Sequence, residues 1–97
     1  MVKYVVLVKF TEKGAGNVAE SVNRADNFSA TAAKAGCTVE ARYWTIGPYD
    51  GLFILNAPDE ETAAAVVLSL NKSGSVNTCM LRAFGDDEFW SILRAMP

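Results

Sequence analysis

The sequence predicts a single α+β domain of element order β-α-β-β-α-β, followed by one more helix. Three observations carry this. Runs of β-branched and aromatic residues recur four times, as strands prefer. Apolar residues between them recur at helical spacing. Gly-, Pro- or Asn/Asp-containing segments fall where one pattern gives way to the next. Ninety-seven residues, 51% hydrophobic and 21% charged, suit one compact core and are too apolar for disorder.

Residues 2–10 open the chain as a strand. Even positions (Val2, Tyr4, Val6, Val8, Phe10) are all apolar, while the odd ones run Lys3, Val5, Leu7, Lys9. A strand covered on one face alternates more cleanly, so this one reads as covered on both. Thr11 to Gly16 reads as a polar connection. A helix follows, with Val18, Val22, Ala25, Phe28 and Ala32 at helical spacing and Glu20, Arg24, Asp26 and Lys34 on its other faces. Asn17 is its expected N-cap, with Glu20 three residues on, and Gly36 its expected stop.

Cys37 to Ile46 returns to strand composition, with Val39, Ala41, Tyr43 and Thr45 in one phase and Glu40, Arg42, Trp44 and Ile46 in the other. Gly47-Pro48-Tyr49-Asp50-Gly51 supplies residue types that reverse a chain sharply. Leu52 to Ala57 is a short strand, apolar in both phases and therefore expected to be central. Pro58-Asp59-Glu60-Glu61 opens a second helix, its acidic residues favoured by the positive end of the helix dipole, and Gly74 marks its stop. A last strand is expected over about residues 75–84. The Gly85-Asp86-Asp87-Glu88 turn then leads into a helix with Phe89, Ile92, Leu93 and Met96 on its apolar side.

This order is the split-βαβ, ferredoxin-like pattern, with strands expected to lie 4-1-3-2 and both crossover helices on one sheet face. The other face carries Val5, Leu7 and one apolar phase of the third strand. Contiguous apolar surface of that kind marks an interface or a ligand groove. The chain is therefore expected to associate with itself, as a dimer or larger assembly in which two sheets meet, as in a dimeric α+β barrel.

Several classes are excluded or left without support. A net charge of −2 and scattered Lys and Arg give no basic stripe for nucleic acid. No apolar run approaches the ~20 residues of a membrane span, and the opening strand lacks the features of a signal peptide. No membrane association is expected, and a cytoplasmic location is the default. Two cysteines, Cys37 and Cys79, are too few for a disulfide framework or a four-ligand zinc site. They fall on opposite edges of the expected sheet, three strand steps of ~4.8 Å apart, beyond the ~7 Å reach of a disulfide. The chain has no histidine, so Ser-His and Cys-His nucleophile pairs are impossible within it.

The stretch Tyr43-Trp44-Thr45-Ile46-Gly47-Pro48-Tyr49-Asp50, then Ala57-Pro58-Asp59 with the alanines after it, then Leu81-Arg82-Ala83-Phe84, resembles the GYD-domain family of small proteins. The opening Tyr-Val-Val-Leu-Val-Lys-Phe-Thr strand also fits, so the resemblance covers nearly the whole chain. It implies a ferredoxin-like fold related to dimeric α+β barrels and assigns no activity.

Two constellations could carry chemistry. In the hairpin, Asp50 could act as a base or hold a polar ligand beside the Tyr49 hydroxyl; the plainer reading has Asp50 capping turn amides. Glu40, Arg42 and Trp44 share a phase of the second strand, with Arg82 on the fourth. A guanidinium beside an aromatic face suits a carboxylate or planar ligand; edge-strand protection by charge is the alternative. Asp86-Asp87-Glu88 reads as a helix first turn, and no metal or cofactor is expected. The resulting expectation is a small-molecule-binding oligomer, its ligand between the open sheet face and the 47–51 hairpin, touching Arg42, Trp44, Tyr49, Asp50 and Arg82. The alternatives are an enzyme of the dimeric α+β barrel kind, an isomerase or cofactor-independent oxygenase using Asp50, Glu40 or Tyr49, or a purely structural assembly module.

Overall fold

The computed structural model describes residues 1–97. Strand β1 (Val2–Phe10) leads through a short helix α1 (Glu12–Gly16) and a 3-10 turn (Val18–Glu20) into α2 (Ser21–Lys34). Then come β2 (Thr38–Trp44), β3 (Gly51–Ala57), α3 (Glu60–Asn71), β4 (Val76–Ala83) and α4 (Asp86–Arg94). The four strands form one antiparallel sheet in the order β2-β3-β1-β4, the expected order read from the other edge. No helix is long and apolar enough to cross a membrane.

Strand periodicity decides where the core lies. Tyr4 and Val6 of β1 and Phe53, Leu55 and Ala57 of β3 point to one side, where they join Phe28 and Ala32 of α2 and Ala63, Val66 and Val67 of α3. Phe28 and Phe53 meet with ring centroids 5.0 Å apart at a tilt of 55°, a favourable aromatic arrangement. The other phase, Val5, Leu7, Leu52 and Ile54, is paired across β1 and β3 (Val5 with Ile54, Leu7 with Leu52) and has no helix over it. Leu81 and Cys79 of β4 extend this surface, opposite Val5 and Leu7. Only 15 of the 97 residues are buried, so a single chain leaves much of its apolar sequence uncovered.

The helix ends follow local rules. α2 closes in a Schellman arrangement: the Cys37 N–H donates to the Ala32 carbonyl at 2.9 Å and the Gly36 N–H to Ala33 at 3.1 Å. Gly36 takes φ +82°, which only glycine adopts without strain. Cys37 is thereby drawn into the core, and burial, with the Asp59 charge a lesser cause, pushes its thiol pKa up. Both cysteines are free thiols. At α3, Asp59 is the N-cap, its carboxylate accepting from the Thr62 N–H at 2.7 Å. That hydrogen bond holds the Asp59 carboxyl below the ordinary aspartate range.

Two local expectations are corrected. Residues 11–16 contain a helical turn instead of an open connection, because the Thr11 hydroxyl accepts from the Gly14 N–H and caps it. Asn17 therefore does not cap α2, and its side chain makes no capping bond. Val18, in the 3-10 turn, and Val22, about 120° round α2 from Phe28, lie more than half exposed instead of on the core stripe.

Candidate functional site

The hairpin between β2 and β3 is tied to the end of β1 by backbone chemistry. The Asp50 N–H donates to the Val8 carbonyl at 2.8 Å, and the Asp50 carboxylate accepts from the Phe10 N–H at 2.7 Å. Across the turn, the Thr45 N–H reaches the Asp50 carbonyl at 3.0 Å and the Thr45 hydroxyl donates to the Tyr49 carbonyl at 2.6 Å. Gly51 allows a close approach within the hairpin: a Cβ there would stand 2.8 Å from the Tyr43 carbonyl oxygen. Asp50 thus acts as a latch between the hairpin and β1.

The latch gives a direct expectation. Asp50→Ala leaves the part-buried Phe10 N–H without its acceptor, a loss of about 1–3 kcal/mol, whereas Asp50→Asn retains an acceptor oxygen. Urea unfolding of both variants should show the alanine protein clearly less stable. Equal stability of the two would mean that the Phe10 bond contributes nothing.

The expected grouping of Glu40 with Arg42 and Trp44 does not hold. The β2–β3 register shifts between Val39 and Ala41, with Val39 opposite Leu55 and Ala41 opposite Ile54. This bulge places one extra residue, Glu40, on β2. Glu40 lies on the open side, where Lys3 Nζ approaches its carboxylate at 3.0 Å. The Lys3 hydrogen bond, then the Lys3 charge and Asn56, hold its carboxyl below the ordinary range. Arg42 and Trp44 instead turn to the helix-covered side, opposite Phe53 and Gly51. There Arg42 Nη2 pairs with Asp26 of α2 at 2.6 Å, and its guanidinium lies 5.8 Å from the Trp44 ring centroid.

Arg42, Trp44 and Asp50 border one cavity of about 80 Å³, between α2 and the helix-covered side of the sheet. Phe10, Arg24 and Phe28 border it too. The apolar spacing of the sequence puts Arg24 off the core stripe of α2. Its position four residues before Phe28, one helical turn on the same face, was the available signal. Tyr49 is at the hairpin tip and does not border the cavity.

Arg82 belongs elsewhere. It pairs in register with Tyr4, whereas Asp50 contacts Val8 and Phe10, so the two are separated by roughly 13–20 Å along β1. Its guanidinium lies 4.5 Å from the Phe84 ring centroid, donates to the backbone carbonyls of Ala83 and Lys3, and pairs with Glu88 at 3.1 Å. Glu88 also accepts from the Gly85 N–H, and this bond, then Arg82, holds its carboxyl below the ordinary range. Arg82 therefore fixes the exit angle of α4.

Beyond that anchor, α4 has no buried residue. Phe89, Ile92 and Leu93 recur at i, i+3 and i+4 while Met96 falls just past the helix end, and Phe89 and Trp90 are 50% and 59% exposed. An amphipathic helix of this kind derives stability from covering its apolar face. The chain leaves that face bare.

These features define a small α+β domain with a split-βαβ core, a latched hairpin beside a cavity, and two uncovered apolar surfaces. The chain belongs to the GYD domain family, whose model matches residues 4–93. It is also 32% identical over 84 residues to a Thermus thermophilus protein named "Glutamine synthetase and cystathionine beta-lyase binding protein". That alignment covers 86% of this chain and 88% of the relative. No solved structure gives a significant match.

Proposed function

We propose that this protein is a protein-binding module that self-associates through its open sheet face and docks on partner proteins through α4. The observation that carries the reading is the bare apolar face of α4 beside an uncovered apolar sheet. Aromatic anchors such as Phe89 and Trp90 are the residue types that dominate protein interfaces. The sheet face suits a second copy of the same chain. Its apolar centre is self-complementary, and the Lys3–Glu40 pair on its rim presents both signs of charge to a two-fold partner. The name of the Thermus relative supports a protein-binding role, and glutamine synthetase and cystathionine beta-lyase are the first partners to try.

The test is titration calorimetry of the intact protein against each enzyme from the same organism. Micromolar or tighter binding of at least one is expected, with a tenfold or greater loss in Phe89→Ser/Trp90→Ser. Because α4 contributes nothing to the core, that variant should keep the wild-type circular dichroism spectrum. Absence of binding to both enzymes at tens of micromolar would count against the partner assignment.

A second reading, binding of a small molecule at the 47–51 hairpin, is favoured by the cavity that Arg42, Trp44 and Asp50 border. The site for it lies on the helix-covered side of the hairpin instead of the open sheet face. It is compatible with protein docking, since α4 and the open face are separate surfaces.

A further inference from the structure

We infer that the cavity beneath α2 is a site for a small monocarboxylate with a short apolar body, held by Arg24 and Arg42. This rests on the small-molecule reading of the hairpin and is independent of protein docking. The observation is a pair of unmatched charged donors at one cavity. Arg24 donates through Nη1 to the Asn17 carbonyl at 2.9 Å, and Arg42 through Nη2 to Asp26. Arg24 Nη2 and Arg42 Nη1 are each shielded from solvent with no acceptor in the chain. A shielded guanidinium N–H without an acceptor is costly, and both residues border the same pocket. A carboxylate has two oxygens, each able to accept from a guanidinium.

Charge narrows the ligand further. Two cations, Arg24 and Arg42, border the cavity with one carboxylate, Asp50, and a second carboxylate, Asp26, pairs with Arg42 from outside it. Asp26 is engaged by Arg42, and Asp50 by the Phe10 N–H. The site is therefore close to neutral and lacks the surplus positive charge that a phosphate or polyanion requires. A single negative charge satisfies the two free donors with least repulsion from the aspartates. The rest of the wall is mainly apolar, with Phe10, Phe28 and Trp44 close by. A cavity of about 80 Å³ suits a chain of a few carbons better than a ring, since about 150 Å³ accommodates benzene.

The experiment follows amide chemical shifts of the uniformly 15N-labelled intact protein during titration with propionate. Its uncharged counterpart 1-propanol and inorganic phosphate are titrated in parallel. Propionate should give saturable shifts at Arg24, Asp50 and Gly51. Its affinity should exceed that of the alcohol at least tenfold and fall at least tenfold in both Arg24→Gln and Arg42→Gln. Arg24→Gln lies outside the sheet and keeps the proposal testable if Arg42→Gln fails to fold. If the alcohol binds at these residues as well as propionate, the cavity is a small-molecule site and the carboxylate assignment is wrong. Stronger binding of phosphate there overturns the same assignment. If none of the three perturbs these residues, the monocarboxylate proposal and the small-molecule reading of the hairpin both fail.

Discussion

Ile54→Asp is expected to abolish the proposed self-association and leave a folded monomer. Ile54 stands at the middle of the open sheet face, between Val5 of β1 and Ala41 of β2. In an isolated chain its side chain is only half-buried, and an aspartate there can reach water. With a second sheet packed over it, the carboxylate would be desolvated among Val5, Leu7 and Leu52 without a cationic partner. The nearby Lys3 is already engaged by Glu40. Such burial costs several kcal/mol, and each 1.4 kcal/mol is tenfold in affinity. A loss of at least about a hundredfold in association follows.

Light scattering coupled to gel filtration reads this directly. The wild type should run at a multiple of 10.5 kDa and the variant at 10.5 kDa. Cys79 gives a second readout, since it lies on the same face opposite Leu7 and is exposed in the single chain. Thiol labelling of Cys79 should be slow in the assembly and fast in Ile54→Asp, while buried Cys37 stays protected in both. A wild-type protein that is monomeric at tens of micromolar with a freely labelled Cys79 would rule out the sheet-to-sheet association.

Leu55→Ala, one residue further on, should act on the subunit itself. Leu55 has no exposed surface and sits on β3 among the side chains of the core. Truncation removes three carbons and leaves a void that the surrounding strands and helices can only partly close. Such changes cost roughly 2–5 kcal/mol, against a total stability of about 5–15 kcal/mol for ordinary domains. Urea unfolding at a fixed protein concentration should show a much lower midpoint. Running the measurement on the Ile54→Asp background separates subunit stability from association. A loss below about 1 kcal/mol would show that the core does not close around Leu55.

These two neighbouring residues illustrate what the sequence determined by itself. Strand side chains alternate with a period of two, so the apolar content of β1 and β3 in both phases already implied a sheet that is apolar on both faces at its centre. Element order, strand order, the Gly36 stop and the Asp59 start of α3 were legible for the same kind of reason. Each depends on a few consecutive residues and on the conformations their own backbone permits.

The candidate site was less legible because it depends on phase and on partners distant in sequence. One extra residue at Glu40 leaves the strand composition of residues 37–46 unchanged, yet moves Arg42 and Trp44 from the side of Glu40 to the side of α2. Within α2 the core stripe runs through Phe28 and Ala32, and Val22 stands about 120° round the helix from Phe28 and stays exposed. Arg24, one turn before Phe28, meets the cavity instead. Arg82, grouped with the hairpin residues in the sequence, sits near the far end of β1 and orients α4. Composition fixed which residues could bind a ligand or a partner. Register and helix phase, set by pairing and packing across the whole domain, decided which of them meet.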